Sequence, residues 1–352
     1  VEAENSRERN LSMIERAPGI FEVKLYGTGG GVEEIRIFLI PGKPGERSLM
    51  VDTGFARTQC MDMLKEALAK LKIEVTDLDI FLTHKHTDHC GLASEFAAQG
   101  ARLFMNPQED RHGYDCLHMD KSGGYLRSQI RVLRAVGVTQ ELTPGIWEMF
   151  MEVNRRVAGD RGWYFEVRDF PYEPAAPGQI FSYGDYTFEA VLLKGHTYGQ
   201  MGLYDREKRI VFSADQVIDG IVPIVATSYP DEHLLKGYFA SLEYFKKEFH
   251  DCRIFPSHRE ELVRMRTTVE RIVFSYMDKA GLIQSLLKHG RRPMTVRELA
   301  CLAYGMNEVP KDEEDFIKLK MVMTKTFSCL EYLYDSDLAV RTSKNGILYW
   351  EE

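Results

Sequence analysis

Four apolar runs in this chain each end in a side chain of metal-binding type. "DLDIFLTH" reaches His84, with His86 two residues on; "TFEAVLLKGH" ends at His196, "RIVFSAD" at Asp215 and "CRIFPSH" at His258. Runs of this length read as buried strands, and a sheet aligns its strand ends along one edge, where ligand sites sit. Asp88 and His89 follow His86 at the turn into the next helix. Seven side chains can therefore converge on one point. Residues two apart in extended backbone face the same way, which pairs His84 with His86. A lone His-x-His in a loop is usually accidental, but here it recurs with ligand-type residues at three further strand ends. Histidine and aspartate without cysteine suit zinc, iron or manganese alike. Seven ligands are too many for one tetrahedral ion and suit two ions sharing a bridging carboxylate. Such ions lie about 3.5–4 Å apart, generate hydroxide and clamp a developing oxyanion.

The rest of the chain sets the frame for that site. Its 352 residues, 44% hydrophobic and 28% charged, suit a globular protein of roughly two domains. A formal net charge of -8 argues against general binding to nucleic acid or an anionic membrane. The six cysteines contain no Cys-x-x-Cys pair and form no disulfide framework, so a reducing, cytoplasmic setting is expected. No apolar run is long enough to span a membrane, and the charged N-terminus lacks the apolar core of a signal peptide.

Strands dominate the first 105 residues. The glycine cluster "GTGGG" (Gly27–Gly31) reads as a hairpin turn, because no Lys-Ser/Thr follows and a strand stands where a phosphate loop needs a helix. Helical patterns take over in residues 107–168, at "GGYLRSQIRVLRAVG" and "PGIWEMFMEVNRRVAG", and strands return after "FPYEPAAPGQ". From residue 267 the chain reads as helical, with Thr295 as a helix N-cap and a closing hairpin at Asn345-Gly346.

In order, "VDTG", "HKHTDH", "GHTYGQMGLYD", "FSADQV" and "FPSH" resemble the motifs of the metallo-beta-lactamase-fold superfamily, over about Gly19 to His258. The resemblance implies an α/β (α+β) fold, an αββα sandwich with the metal site at the sheet edges. It also implies roles. One metal takes His84, His86 and His196, the other takes Asp88, His89 and His258, and Asp215 bridges both. Asp52, in "VDTG", orients the site without binding metal; a turn-forming aspartate before glycine is an equal reading. The chain departs from the pattern in places. Dinuclear beta-lactamases resemble a pattern with cysteine where Asp215 stands, and flavodiiron oxidoreductases one with glutamate in place of His86. Tyr198 replaces the usual proline, where its hydroxyl could polarise a carbonyl or its ring simply pack. Cys90 replaces a usual glycine and is expected to pack inward.

The resemblance divides the chain into a catalytic domain over residues 1–266, with 107–168 as a helical insertion near the active site, and a winged-helix-like domain over 267–352, of the beta-lactamase-like protein 2 type. Arg127, Arg131 and Arg134 share one helix face that could hold an anionic part of a substrate, although a solvated face is the plainer reading. Tyr114, Tyr125, Trp147 and Trp163 read as the insertion's own core. A winged helix suggests nucleic acid, but residues 276–352 carry eleven Lys/Arg against twelve Asp/Glu, without the basic face that nucleic acid requires. Packing or homodimerisation fits better.

Together these readings predict a hydrolase with two divalent metal ions, Zn2+ before Fe or Mn. It would cleave a small ester, thioester or lactone, with a bridging hydroxide attacking the carbonyl and Asp88 moving the proton. Three alternatives stay open: a ribonuclease or phosphodiesterase, a mononuclear iron persulfide dioxygenase, and a scaffold without chemistry.

Overall fold

The computed structural model describes residues 11–27, 34–110, 124–159, 170–225, 227 and 229–352. Strands β1 (Met13–Ala17), β2 (Ile20–Tyr26), β3 (Glu34–Ile40), β4 (Ser48–Val51), β5 (Leu78–Leu82), β6 (Arg102–Met105) and β7 (Glu173–Pro174) lie side by side in that order. A second sheet holds β8 (Ile180–Tyr183), β9 (Tyr186–Leu192), β10 (Met201–Asp205), β11 (Ile210–Ala214) and β12 (Arg253–Pro256), with β12 and β8 at its edges. β2 and β3 pair antiparallel with Tyr26 opposite Glu34. The glycine-rich connection between them, residues 28–33, lies outside the described residues. Helices α1 (Thr58–Leu71), α2 (Thr87–Cys90), α3 (Ala93–Ala98), α4 (Gly124–Ala135), α5 (Pro144–Gly159), α6 (Leu234–Glu248), α7 (Met265–His289), α8 (Val296–Tyr304) and α9 (Glu313–Tyr334) complete the regular structure together with β13 (Met294–Thr295), β14 (Val340–Lys344) and β15 (Ile347–Glu351).

Alternating side chains along the strands build the layers. In β3, Ile35, Ile37 and Leu39 turn outward onto Met63, Leu64 and Ala67 of α1 and Phe96 of α3. The residues between them face the other way: Phe38 and Ile40, with Phe81 and Phe104, meet Phe181, Phe188, Phe212 and Phe255 of the second sheet. Phe38 and Phe212 approach to 4.8 Å between ring centroids. On the far side of the second sheet, Val191, Tyr204, Val211 and Ile254 pack on Leu235, Leu242 and Phe245 of α6. The result is the expected αββα sandwich, with the strands running to a common edge.

The C-terminal unit packs on that outer α layer. Val296, Leu299, Phe327, Leu330 and Trp350 are continuous with the α6 cluster. Thr295 starts α8 as expected: its side chain accepts from the Glu298 backbone, and the Glu298 carboxylate accepts from the Thr295 N–H. The β14–β15 hairpin turns at Asn345 (φ 53) and Gly346 (φ 79), the paired positive φ of a tight turn that glycine favours. The helices expected in the insertion form as α4 and α5, and they lean on this same unit. Leu133, Val138, Ile146 and Phe150 join its cluster, and Lys320 Nζ donates to Gln129 Oε1 at 2.8 Å. Trp147 packs on Phe150, and the Arg131 guanidinium lies over the Tyr229 ring. Tyr114, Trp163 and the side chains of Tyr125 and Arg127 lie outside the described residues. No described helix is long and apolar enough to cross a membrane.

Candidate metal centre

All seven ligand-type side chains meet at the edge of the two sheets. They stand in the loops just past the strand ends rather than in the strands: His84 two residues beyond β5, His196 four beyond β9, Asp215 one beyond β11 and His258 two beyond β12. Asp88 and His89 lie in α2, with extended backbone at His86 (φ −64, ψ 146) leading into it. The backbone bends to deliver them. The β11–β12 ladder is irregular between Phe212 and Ala214, and Ala214 takes φ 48, so a bulge re-aims Asp215. Gly195 takes φ 145, and a Cβ there would meet the Tyr238 ring at 2.4 Å; only glycine fits before His196.

Ligand atoms group in three overlapping sets, His84/His86/His196, His84/His89/Asp215 and Asp88/His89/His258, each within 4.8 Å. His86 Nδ1 is 3.0 Å from His84 Nε2 and 2.8 Å from His196 Nε2. Asp215 stands between the halves: its Oδ2 is 3.5 Å from His196 Nε2 and 3.6 Å from His89 Nε2, and its Oδ1 is 3.4 Å from His258 Nε2. Asp88 Oδ2 lies 3.4 Å from His258 Nε2.

The opposite ring nitrogens explain why the Nε2 atoms face inward bare. His196 Nδ1 lies 2.6 Å from the Ile224 carbonyl and His258 Nδ1 lies 2.6 Å from the Glu34 carbonyl. A carbonyl only accepts, so both Nδ1 atoms carry the proton. His89 Nδ1 donates to Asp52 Oδ2 at 2.8 Å. The Thr83 hydroxyl donates to the same oxygen at 2.9 Å, so its own oxygen accepts from His84 Nδ1 at 3.0 Å. With each Nδ1 proton held by an outer acceptor, Nε2 is the atom that these four imidazoles offer to the site, the arrangement of metal-ligating histidines. Asp52 itself is fully buried and tied to the Thr83 N–H at 2.8 Å. It holds the His89 ring and the Thr83 hydroxyl from behind.

That cluster fits a cation on its own evidence. His84 Nε2 and His196 Nε2 both present lone pairs to His86 Nδ1, and one proton there can serve only one of them. Among the described residues His89 Nε2, His258 Nε2 and Asp215 Oδ1 are buried with no hydrogen-bond partner, a state that buried polar groups avoid. Electrostatics agree. Burial and the neighbouring imidazoles push His84 and His86 well below the ordinary histidine range, and burial lowers His196. Burial also disfavours charge on His89 and His258, but Asp215 and Asp88 outweigh it, raising His89 and carrying His258 to about 10. Burial works against the Asp88 carboxylate too, yet His89 and His258 hold it down at about 2. The acidic groups thus demand positive charge, supplied by two ring protons unless a cation takes their place.

One supporting residue has no motif. Glu109 is buried, and its carboxylate accepts from the Lys85 N–H at 2.9 Å, the Thr197 hydroxyl at 2.8 Å and the Gly199 N–H at 2.5 Å. It ties the His84–His86 loop to the His196 loop. Its place just after β6 gives no signal beyond an acidic residue at the edge of the insertion. Cys90 packs inward as expected, fully buried, with Sγ against the Lys85 and His86 carbonyls. Tyr198 packs on the outer apolar cluster, and Lys194 Nζ sits 3.9 Å from its ring centroid.

The sequence model of the metallo-beta-lactamase superfamily matches residues 31–262. The chain belongs to this superfamily. Its members typically bind divalent metals, in keeping with the His/Asp groups found here. Among solved structures, the chain is similar to a metallo-beta-lactamase family protein from Thermus thermophilus at 19% identity and a TM-score of 0.74, over 96% of this chain and 99% of that one. It is also similar to a beta-lactamase domain protein from Burkholderia ambifaria at 17% identity and a TM-score of 0.76, over 97% and 94%. At these identities the likeness shows fold, and its span takes in the C-terminal unit. No curated protein matches the chain.

Proposed function

We propose that this metallo-beta-lactamase superfamily member is a dinuclear metal-dependent hydrolase of a small ester, thioester or lactone. The observation that carries the reading is double: His89 Nε2, His258 Nε2 and Asp215 Oδ1 are buried without partners on one side, and on the other His84 Nε2 and His196 Nε2 crowd the single His86 Nδ1. His84, His86 and His196 would hold one divalent ion, Asp88, His89 and His258 the other, and Asp215 would touch both. Such ions supply Lewis acidity and lower the pKa of water, and zinc is the first choice for this donor set. The chain supplies the rest. Asp88 Oδ2 would take the proton of the attacking water and pass it to the leaving group. Tyr198 is assigned the lesser part of polarising the substrate carbonyl. We read α8, α9 and the β14–β15 hairpin as a winged-helix-like unit whose near-balanced charge favours packing over nucleic acid.

Elemental analysis and one panel of thioester, lactone, phosphodiester and RNA substrates test this reading. Two metals per chain and turnover of a carbonyl substrate support it. A single iron per chain with oxygen uptake would replace it with a mononuclear oxygenase, and salt-sensitive RNA cleavage would replace it with a nuclease. Asp88→Asn should lower turnover by about 10²–10⁴-fold in a folded protein, and unchanged turnover sinks the mechanism.

A further inference from the structure

The carbonyl that holds His196 belongs to a segment which the C-terminal unit fixes. After Asp215 the chain runs outward over Pro223, Ile224 and Val225 before entering α6. Tyr276, in α7, donates its hydroxyl to the Pro223 carbonyl at 2.7 Å and accepts from the Val225 N–H at 2.8 Å. Ser328, in α9, donates to the Val225 carbonyl at 2.6 Å. With that proton used, its oxygen accepts from the Thr227 hydroxyl at 2.9 Å. Both side chains are buried, Ser328 fully. One hydroxyl therefore closes the backbone on either side of Ile224, and a second pins the residue after it. The carbonyl between these clamps is the one that accepts from His196 Nδ1 at 2.6 Å. Farther along, Arg341 joins Asp231 and Glu331, each at 2.7 Å, so the segment is tethered to the same unit at its far end as well.

We propose that the C-terminal unit is a working part of the metal centre: Tyr276 and Ser328 are positioning residues that fix the Ile224 carbonyl and, through it, the tautomer and aim of His196. This rests on the reading of His196 as a metal ligand. It gives the unit a role that needs neither nucleic acid nor a second copy. Without the clamp, Ile224 is free to turn its carbonyl to water, and the His196 ring loses the acceptor that keeps its Nε2 bare.

The test is a Zn2+ competition titration of the full-length protein, stripped of metal and reloaded. Four variants, Tyr276→Phe, Ser328→Ala, His196→Ala and Phe327→Leu, are compared with the wild type. Phenylalanine keeps the Tyr276 ring and removes only the hydroxyl. Outer hydrogen-bond partners of metal ligands are typically worth about 10–100-fold in affinity. Tyr276→Phe should weaken, by about 10-fold or more, the same ion whose binding His196→Ala abolishes, and leave the other ion unchanged. Co2+ loaded in place of Zn2+ should show a shifted absorption band for that ion alone. Ser328→Ala should repeat the pattern, so the proposal does not hang on one variant. Phe327→Leu, which loosens the contact with Trp350 in the same unit, should lower Tm and leave both affinities intact. Equal loss of both ions in Tyr276→Phe, or loss of neither, overturns the proposal. If His196→Ala loses no ion, the ligand assignment beneath it fails instead, and the proposal with it.

Discussion

Asp52→Asn is the substitution that most sharply tests how this centre is held. The two side chains have the same shape, so the change is one of hydrogen-bond direction. Asp52 Oδ1 accepts from the Thr83 N–H at 2.8 Å, and Oδ2 accepts from both His89 Nδ1 at 2.8 Å and the Thr83 hydroxyl at 2.9 Å. The Thr83 backbone donor cannot be reversed, so the amide oxygen of the new side chain must occupy the Oδ1 position. Its NH2 then faces His89 Nδ1–H and the Thr83 hydroxyl. Leaving donor against donor in a fully buried site costs about 1–3 kcal/mol. His89 escapes by moving its proton to Nε2, which blocks the lone pair turned into the site. Thr83 must now accept from the amide and turn its own proton toward His84 Nδ1, and His84 is driven to the same wrong tautomer. His84 and His89 belong to different halves of the ligand set, so both ions should weaken. At about 10–100-fold per disturbed outer partner, the loss is about 1.4–2.7 kcal/mol for each ion. Chelator competition on the reloaded protein measures both constants, and circular dichroism of the metal-free form checks that the fold survives. An Asp52→Asn protein that binds two ions within about twofold of wild type would refute the tautomer argument.

Other consequences follow from the same contacts. Without metal, His89 and His258 have raised pKa values, His258 at about 10, so at neutral pH both carry a proton that a divalent ion must displace. Loading should release about two protons per chain at pH 7, since ligands bind deprotonated; calorimetry in buffers of different ionisation enthalpy reads the number, and release of none would contradict the assignment. By the same sign, metal affinity should fall as pH falls, because protons and ions compete for the same Nε2 atoms. Glu109→Gln puts an NH2 against the backbone N–H of Lys85 or of Gly199, neither of which can be reversed. It should cost about 1–3 kcal/mol, seen as a lower Tm together with weaker metal binding at the three-histidine set; an unchanged Tm would remove Glu109 from the supporting network. Thr295→Ala breaks the capping box at α8 and should cost about 1 kcal/mol of stability, measured by urea unfolding, with metal binding unchanged.

The His/Asp cluster was legible because its chemistry is carried by side chains. An apolar run that ends in histidine or aspartate announces a strand and a ligand at once, and four such runs mark one sheet edge. What holds the ligands was less legible. Ile224 and Glu34 act on His196 and His258 through backbone carbonyls, which every residue owns, so no residue type marks them. Ala214 takes a left-handed φ with no glycine to advertise it. Glu109 reads as one acid among many until the fold brings Lys85, Thr197 and Gly199 to its carboxylate. The packing of the C-terminal helices was hidden for a similar reason. An amphipathic pattern shows that a face is buried, and not that Leu133, Phe245 and Phe327 share one cluster.

The outer partners also explain why the site needs both sheets at once. His84 and His89 follow β5 in the first sheet and lean on Asp52 and Thr83 of that sheet's own edge. His258 follows β12 in the second sheet but leans across on Glu34, the first residue of β3 in the other. Arg36, in the same strand, reinforces that crossing: its backbone N–H donates to the Ser257 carbonyl at 2.8 Å, and its guanidinium reaches Glu260. His196 follows β9 in the second sheet and is held through Ile224 by the C-terminal unit. Each half of the ligand set thus receives one histidine oriented by Asp52–Thr83 and one oriented by a backbone carbonyl from elsewhere in the molecule. A slip between the sheets would spoil His258 in one half, and a slip between the second sheet and the C-terminal helices would spoil His196 in the other. Correct docking of all three layers is therefore a condition for the centre to exist. By linkage, an ion that binds only the docked form adds its binding free energy to that docking.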